Sequence, residues 1–407
     1  MKIARSLIAL SLFVSLLVAV PALADDGGSF PNNPTFSTLI TTPLPIEGMT
    51  GDNRGNLYVP SRSAGLGVAC PVWRVNIDTP TLVVVGTIPA PSATGQCAPL
   101  GLAFDRAGKL YVAEADKIYR FLPDAASPLP AVQFASGVPG ANGVAFDRHG
   151  NLWTSDGTTG QGRVWRIDVY GTPTEMFRIQ PIANEVNLVD GVGGVGRDVR
   201  TLPPGTITVL ATSRNAANTL GSQPLVANGL AFDNDGDLIV SDTARGALWK
   251  VNLDHHGNVR SRMGCDTTFT TKTLCLENIF VAHPLLEGAD GIALDRAGNI
   301  WVDANERNAV VIVTKNGKNV REVFRNAADA ATKLRNGGPM EFNTSPVLSG
   351  RNFCTANLDA NRRDNSPNIA GEIPTPTPPS PPTGPLGKIS CMNERLSIPG
   401  MRLPVRW

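Results

Sequence analysis

The chain has 407 residues, of which 42% are hydrophobic, and its 36 lysines and arginines nearly balance its 35 aspartates and glutamates. The formal charge of +1 excludes a nucleic-acid-binding protein that relies on bulk positive charge, and the hydrophobic content excludes a largely disordered chain. The 41 glycines and 33 prolines favour a fold with many turns, such as a β-barrel or a β-propeller.

The first 24 residues have the pattern of an export signal. Lys2 and Arg5 form a basic start, residues 7–20 are apolar or small apart from two serines, and the sequence Ala-Leu-Ala follows at 22–24. This combination is typical of a secretory signal peptide, and the apolar run is too short to span a bilayer comfortably. We therefore expect cleavage after residue 24, a secreted or periplasmic protein, and no membrane span in the mature chain.

A repeated pattern follows, in which a short strand, an Asp-x-x-Gly turn and a second strand come in succession. The clear copies begin at Glu47, Leu100, Asn142, Asn228 and Asp290, and a degenerate copy begins at Thr344. The glycine supplies the positive φ that a hairpin turn needs. Alternating apolar residues after several copies, as in 117–121 and 163–167, predict a third strand.

The spacing of the copies predicts an all-β fold, a six-bladed β-propeller of four-stranded antiparallel blades over residues 25–360. One such blade takes about 40–50 residues. The longer gap after the third copy contains the dinucleotide-binding pattern G-x-G-x-x-G at 191–196, but prolines at 203–204 and the absence of a βαβ context indicate a loop. The strand-like stretch 35–42 could form the outer strand of the last blade and close the ring, which would protect the sheet edges.

The remaining region, 361–407, is predicted to be a Pro-rich C-terminal tail, with residues 373–385 as an extended linker. Six cysteines in an exported chain suggest disulfides, and none has the C-x-x-C spacing of a zinc or redox site. The sequence alone leaves the pairing open. Pairing of sequence neighbours would give Cys70–Cys97, Cys265–Cys275 and Cys354–Cys391, and the last of these would pin the tail to the final blade.

The first residues of the copies are the candidate site, because equivalent positions of a propeller's inner strands meet around one axis. Four of the six are carboxylates or carboxamides, namely Glu47, Asn142, Asn228 and Asp290. These are hard oxygen donors with a combined charge of −2, which suits Ca²⁺ or Mg²⁺. Asn and Asp could instead simply favour a turn at the start of each strand, but that does not explain Glu47. We therefore predict a divalent metal site.

These motifs resemble the senescence-marker-protein/gluconolactonase family of six-bladed propellers, which includes regucalcin-like lactonases. The resemblance covers roughly residues 35–357 and rests on Glu47-Gly, Asn142-Gly, Asn228-Gly-Leu-Ala-Phe-Asp and Asp290-Gly-Ile-Ala. It implies a divalent cation, usually calcium, in the channel, with those four residues as its ligands. It also implies that Asp290 activates the attacking water or attacks directly, and that Asn142 helps to orient the substrate.

The leading hypothesis is an exported calcium-dependent lactonase or ester hydrolase that acts as a monomer on a small molecule, with Mg²⁺ or another divalent cation as the alternative metal. Two alternatives share the fold: a non-catalytic NHL-type binding scaffold, and a strictosidine-synthase-like enzyme that performs a condensation without this ring. Asp156 and Asp242, at the ends of second strands, are interpreted as structural hydrogen-bonding residues.

Overall fold

The structure is a computed structural model that describes residues 30–180, 227–267, 269–360, 363–365 and 387–403. The predicted export signal, the glycine motif at 191–196 and the Pro-rich stretch 373–385 lie outside these residues. A search of the described ranges finds no helix with the length and apolar character needed to cross a membrane.

The described strands form six antiparallel sheets of four strands each, and the first strand, β1 (Phe36–Thr42), belongs to the last of them. Blade one contains β2 (Thr50–Gly51), β3 (Asn56–Pro60), β4 (Cys70–Asn76) and β5 (Val83–Ile88). Blade two contains β6 (Leu102–Phe104), β7 (Leu110–Glu114), β8 (Lys117–Phe121) and β9 (Val132–Ser136). Blade three contains β10 (Ala141–Phe146), β11 (Leu152–Asp156), β12 (Arg163–Ile167) and β13 (Pro173–Arg178).

The remaining blades follow the same order. Blade four contains β14 (Leu230–Phe232), β15 (Leu238–Asp242), β16 (Ala247–Val251) and β17 (Ile279–Ala282). Blade five contains β18 (Ala289–Leu294), β19 (Ile300–Ala304), β20 (Ala309–Val313) and β21 (Val320–Arg325). Blade six contains β22 (Asn343–Ser349), β23 (Asn352–Asn357), β24 (Gly387–Met392) and β1. Helical structure in the described ranges is limited to short 3₁₀ turns at Leu276–Asn278, Pro284–Leu286, Asn305–Arg307 and Arg363–Asn365.

This architecture confirms the predicted six-bladed, all-β propeller and the closing role of the N-terminal strand. β1 lies at the outer edge of blade six and pairs with β24 from Phe36 opposite Met392 to Thr42 opposite Gly387. β24 comes from the region that the sequence assigned to the tail, so the propeller continues past residue 360. The sixth repeat supplies only β22 and β23, and β24 fills the space between β23 and β1.

In blades one to five, the aspartate of the repeat holds the tight turn between the first two strands; Ser349 takes this position in blade six. Asp147 accepts hydrogen bonds from the backbone N–H groups of His149 (2.8 Å) and Asn151 (2.9 Å) and from the indole of Trp153 (3.0 Å). Gly150 has φ +86°, a conformation that favours glycine. The repeat motif therefore builds its hairpin through a side chain that satisfies the backbone donors of the turn.

The three disulfides pair sequence neighbours, as predicted: Cys70 with Cys97, Cys265 with Cys275, and Cys354 with Cys391. The last pair joins β23 to β24, where the two cysteines lie opposite each other in the sheet. It therefore connects the sixth repeat to the strand that returns from the C-terminal region.

Candidate functional site

The first residues of the six repeats lie in a closed ring at the start of the innermost strands. Gly101 donates its N–H to the carbonyl oxygen of Asn142 (3.0 Å), and Gly229 donates to that of Asp290 (3.3 Å). Across the closure between blades six and one, the Thr344 hydroxyl donates to the carbonyl oxygen of Glu47 (2.6 Å). Backbone contacts between successive blades thus bring the predicted positions around one axis.

A glycine follows each of the first five ring residues because the next blade leaves no room for a side chain. A Cβ on these glycines would lie 1.9–2.5 Å from the carbonyl oxygen of the next ring residue, at Gly48, Gly101, Gly143, Gly229 and Gly291. Real Cβ atoms do not approach that closely, so the glycines permit the narrow ring.

Two serines to which the sequence analysis assigned no role donate hydrogen bonds to the ring backbone. The Ser155 hydroxyl donates to the carbonyl oxygen of Asn228, and the Ser241 hydroxyl donates to that of Asp290. Both serines occupy the same offset from the ring residue of their own repeat, and in blade five that offset is occupied by Asp303. Extending the alignment of the repeats by one residue would have brought these three positions together.

Of the two carboxyl groups in the ring, that of Asp290 has the more strongly shifted pKa. It is 5% exposed, and its Oδ2 accepts a hydrogen bond from the Asn305 amide (2.8 Å). Burial raises the pKa of Asp290 well above its ordinary value, the Glu47 carboxylate raises it further, and hydrogen bonds from Asn305 and Asn228 oppose the shift. Glu47, Asn228 and Asp290 are therefore close enough to influence one another.

The two asparagines of the ring are buried, and their side-chain oxygens accept no hydrogen bond from the described residues. Asn142 is 6% exposed. Asn228 is 2% exposed and donates through its amide nitrogen to the Thr243 hydroxyl (3.0 Å). Neither oxygen is among the fully buried polar atoms that lack a partner in the described part of the chain, so both are accessible to a cation that they could coordinate.

Arg62 contacts the ring and was missed by the sequence analysis. Its Nη2 lies 2.8 Å from Oε2 of Glu47, with the Glu47 side chain 13% exposed and the Arg62 side chain 40% exposed. The guanidinium offsets the negative charge of the Glu47 carboxylate. A cation at Glu47 would therefore have to share the carboxylate with Arg62 or displace it.

Two further buried carboxyls lie close to the ring. Burial raises the pKa of Glu114 to about 7, against the opposing effects of a hydrogen bond from the Ala98 N–H (2.9 Å) and of the Arg62 charge. Burial also raises the pKa of Asp303 to about 7, although the Thr355 hydroxyl donates to its Oδ2. Neither carboxyl was predicted as a site residue, because their burial depends on packing between blades and the repeat pattern does not reveal it.

Asp156 and Asp242 have the structural role that the sequence predicted. Asp156 accepts hydrogen bonds from Nε of Arg163 (3.0 Å) and from the backbone of Thr159 (2.8 Å). Asp242 forms a fully buried ion pair with Arg245 (2.7 Å). Each carboxylate therefore binds partners within its own blade.

The donor atoms of the ring suit a hard cation. Among the described residues, no group of three or more His, Cys, Asp and Glu side chains is placed to hold a metal. The ring itself offers two carboxylates and two carboxamides, so half of its donors are amide oxygens. The mutually repelling carboxylates of Glu47 and Asp290, and the Asn142 side chain that forms no hydrogen bond with the described residues, are compatible with a hard divalent cation.

The comparisons with known proteins agree with this fold. Residues 72–341 match the SMP-30/Gluconolactonase/LRE-like region. Lactonase drp35 of Staphylococcus haemolyticus is 23% identical over 256 residues, which are 59% of this chain and 73% of that protein.

Two solved structures are similar over most of the chain. A luciferin-regenerating enzyme superposes with a TM-score of 0.55 at 12% identity, covering 92% of this chain and 100% of that one. Regucalcin of Agrobacterium tumefaciens, described as a calcium-binding protein, has a TM-score of 0.54 at 15% identity, with 93% and 100% covered. At such identities the likeness shows the fold alone. The family match covers more than half of the chain, and the protein therefore belongs to the SMP-30/gluconolactonase/LRE-like family.

Proposed function

We propose that the protein is an exported, calcium-dependent lactonase or related ester hydrolase that acts on a small molecule as a monomer. The observation that carries the proposal is the closed ring, in which Glu47 and Asn228 influence the buried carboxyl of Asp290. Membership of a lactonase-containing family and the similarity to a lactonase support the reaction class. The similarity to a calcium-binding regucalcin supports the choice of metal.

Four side chains would hold the cation through their oxygens, namely Glu47, Asn142, Asn228 and Asp290. When bound there, a calcium ion supplies Lewis-acid polarisation of an ester carbonyl. Mg²⁺ or another divalent cation would suit the same oxygen donors, so the choice of metal is part of the test.

Asp290 is proposed to be the general base of the hydrolysis. Its Oδ2 is held by the Asn305 amide, which fixes the orientation of the carboxylate. The Asp290 carboxylate takes a proton from water as the water oxygen bonds to the carbonyl carbon. The ester C–O bond inside the lactone then breaks, and the same proton passes to the departing alkoxide. The product is a hydroxy acid. Asn142 would orient the substrate through its amide nitrogen.

Direct attack by the Asp290 carboxylate is the alternative chemistry. It would form an acyl-enzyme, whose hydrolysis in ¹⁸O-labelled water can place the label in the Asp290 side chain. The general-base mechanism places the label only in the product. A single-turnover reaction followed by mass spectrometry of the peptide containing Asp290 therefore separates the two.

The three disulfides support export, because disulfides persist in oxidising compartments. Removal of residues 1–24 and a secreted or periplasmic location remain part of the proposal. N-terminal sequencing of the protein recovered from outside the cytoplasm would identify the cleavage site.

The deciding experiment measures hydrolysis of a panel of lactones and aryl esters with Ca²⁺, with Mg²⁺ and with chelator. We expect activity that chelator removes and Ca²⁺ restores, and a loss of about 10²–10⁴-fold in kcat for Asp290→Asn because the base is removed. Asp116→Asn, which changes an exposed carboxylate, should behave as wild type. Turnover unaffected by chelator would overturn the calcium-dependent mechanism.

The Arg62–Glu47 ion pair supports a second candidate function, a non-catalytic propeller that displays a binding surface. In that case the guanidinium would be the permanent partner of Glu47. The scaffold function predicts neither calcium binding nor turnover on any lactone or ester, whereas the lactonase function requires both.

A further inference from the structure

A second candidate site lies at the end of the channel opposite the ring. The ring residues lie just before or at the beginning of the inner strands, whereas the turns that start at the repeat aspartates follow these strands, so the two sets mark opposite ends of the same strands. At the turn end lies a cavity of about 1090 Å³. We call this cavity the basin; inner-strand residues of all six blades line it, and no ring residue does.

The walls of the basin combine apolar and polar side chains. Phe104, Phe146 and Phe232 line it from blades two, three and four, and Leu294 and Leu348 line it from blades five and six. Phe146 and Phe232 are partly exposed, whereas Phe104, Leu294 and Leu348 are almost fully buried. Removing the exposed part of the two phenylalanines from water is favourable, so this part of the basin suits the hydrocarbon part of a ligand.

The C-terminal segment 399–403 completes one side of the basin. The backbone N–H of Met401 donates to the carbonyl oxygen of Leu294 (2.9 Å), and the Asn53 side chain donates to that of Leu403 (3.2 Å). Met401 and Leu403 both line the cavity. The segment thus spans from the blade-five strand to the blade-one turn and adds apolar surface that the repeats do not supply.

Two arginines at the rim of the basin have no acidic partner. Arg106 donates from Nη2 to the carbonyl oxygen of Arg148 (3.1 Å), and Arg148 donates from Nε to the imidazole of His149 (3.3 Å). Both are exposed, and neither forms an ion pair with the described residues. Two arginines from neighbouring blades therefore border the cavity, and exposed Arg402 of the C-terminal segment lines it as well.

The aspartates that also line the basin are occupied by their own turns. Asp105 accepts hydrogen bonds from the backbone of Ala107 (2.8 Å) and Lys109 (2.9 Å). Asp147 accepts the hydrogen bonds described above for its turn. Both carboxylates are engaged by their turns, so the lining arginines, Arg106, Arg148 and Arg402, are the charged side chains left to contact a ligand.

From this combination we propose that the basin binds an anionic amphiphile, a free small molecule with a carboxylate group and a hydrocarbon chain. The hydrocarbon would pack against the exposed parts of Phe146 and Phe232, and the carboxylate would bind Arg106 and Arg148 at the rim. This site does not depend on the metal or on the proposed hydrolase activity.

The test is calorimetric titration of the folded protein with dodecanoate below its micellar concentration. We expect binding, and about a five- to twentyfold loss of affinity in the double variant Arg106→Gln/Arg148→Gln, because two exposed charge contacts are removed. Arg260→Gln, at an exposed arginine on blade four, is the matched control and should bind as wild type. Dodecyltrimethylammonium has a similar chain and the opposite charge, and should not bind.

Asp290→Asn separates this site from the ring. Dodecanoate binding should persist in that variant, with or without Ca²⁺, even if the proposed lactonase activity is absent from the wild type. The proposal is overturned if dodecanoate gives no binding, if the double variant binds it as tightly as Arg260→Gln does, or if Asp290→Asn abolishes binding.

Discussion

Arg62 is expected to oppose calcium binding at the ring. Its guanidinium lies 2.8 Å from the Glu47 carboxylate and so competes with a cation for the same oxygen. Replacing it by glutamine removes a positive charge next to the site, which at an effective dielectric constant between those of water and protein is worth about 1 kcal/mol. We therefore predict that Arg62→Gln binds Ca²⁺ about fivefold more tightly in calorimetric titration.

The control for this prediction is Arg260→Gln, which removes the same charge from an exposed position on another blade. It should leave the calcium affinity unchanged. Equal or weaker calcium binding by Arg62→Gln would show that Arg62 does not compete with the cation, and would favour a permanent Arg62–Glu47 ion pair.

Asp303 is expected to make stability depend on pH. Its pKa is raised to about 7 by burial, against an ordinary value near 3.8. Between these values the folded protein holds a proton that the unfolded chain releases, so stability is lost as pH rises from about 4 to about 7. Asp303→Asn removes this cost, and the new amide can donate to Oδ1 of Asn343, which lacks a partner among the described residues.

We therefore predict that Asp303→Asn is more stable than wild type at about pH 8, by roughly 1–4 kcal/mol, and that this advantage shrinks toward pH 4. Urea unfolding with chelator present, at both pH values, measures the difference. Asp116→Asn changes an exposed carboxylate and should show no such gain. A gain that does not change with pH would contradict the titration of Asp303.

The repeat pattern predicted the positions of the ring residues but not the side chains that contact them. Glu47, Asn142, Asn228 and Asp290 share one position in a repeat, and a repeat fixes that position around the axis. Arg62 reaches the ring from the irregular connection between β3 and β4, where the repeat gives no register. Contacts of that kind depend on the path of a loop, which the sequence pattern does not encode.

At the level of the element, the glycine after each ring residue is expected to be intolerant of substitution. A Cβ on Gly143 would lie 2.3 Å from the carbonyl oxygen of Asn228, which belongs to the backbone of the next blade. Because that backbone cannot move without shifting blade four, Gly143→Ala should lower the free energy of unfolding by roughly 2 kcal/mol or more. Urea denaturation measures the change.

Gly65→Ala is the matched control. A Cβ at Gly65 would meet only the Val68 side chain, at 3.7 Å, which is an ordinary contact. Its effect should stay within about 0.5 kcal/mol. Similar losses for the two variants would mean that the close approach between blades three and four is not what requires glycine.

The first two strands of each repeat and the third strands of blades two to five followed from the sequence, because alternation and Asp-x-x-Gly turns are local signals. The sequence did not locate β4 or the outer strands of blades one to five, and it did not locate β24, which follows the Pro-rich stretch and belongs to no repeat. Its six residues are all buried, with apolar Ile389 and Cys391 alternating with polar Lys388 and Ser390. Lys388 is buried beside Glu341, a tertiary ion pair that a local pattern does not reveal.

For the whole molecule, closure of the propeller combines two distant parts of the chain. β1 supplies the outer strand of blade six and β24 supplies the strand beside it, so the ends of the described chain meet in one sheet. The repeat count predicted the number of blades and the role of β1. It could not show that the third strand of the last blade comes from beyond the linker, since that depends on pairing between distant segments.

The disulfide between Cys354 and Cys391 is expected to hold this closure. It spans 37 residues, against 10 for Cys265–Cys275, and the entropy of the unfolded chain makes the longer loop worth about 4 kcal/mol and the shorter about 3 kcal/mol. Replacing both members of each pair by alanine should therefore destabilise the Cys354/Cys391 variant by about 1 kcal/mol more in urea. Hydrogen exchange should rise in β1 and β24 of that variant only, because its bridge ties β24 to β23. Equal destabilisation of the two variants, with unchanged hydrogen exchange in β1 and β24, would show that strand pairing alone closes the propeller.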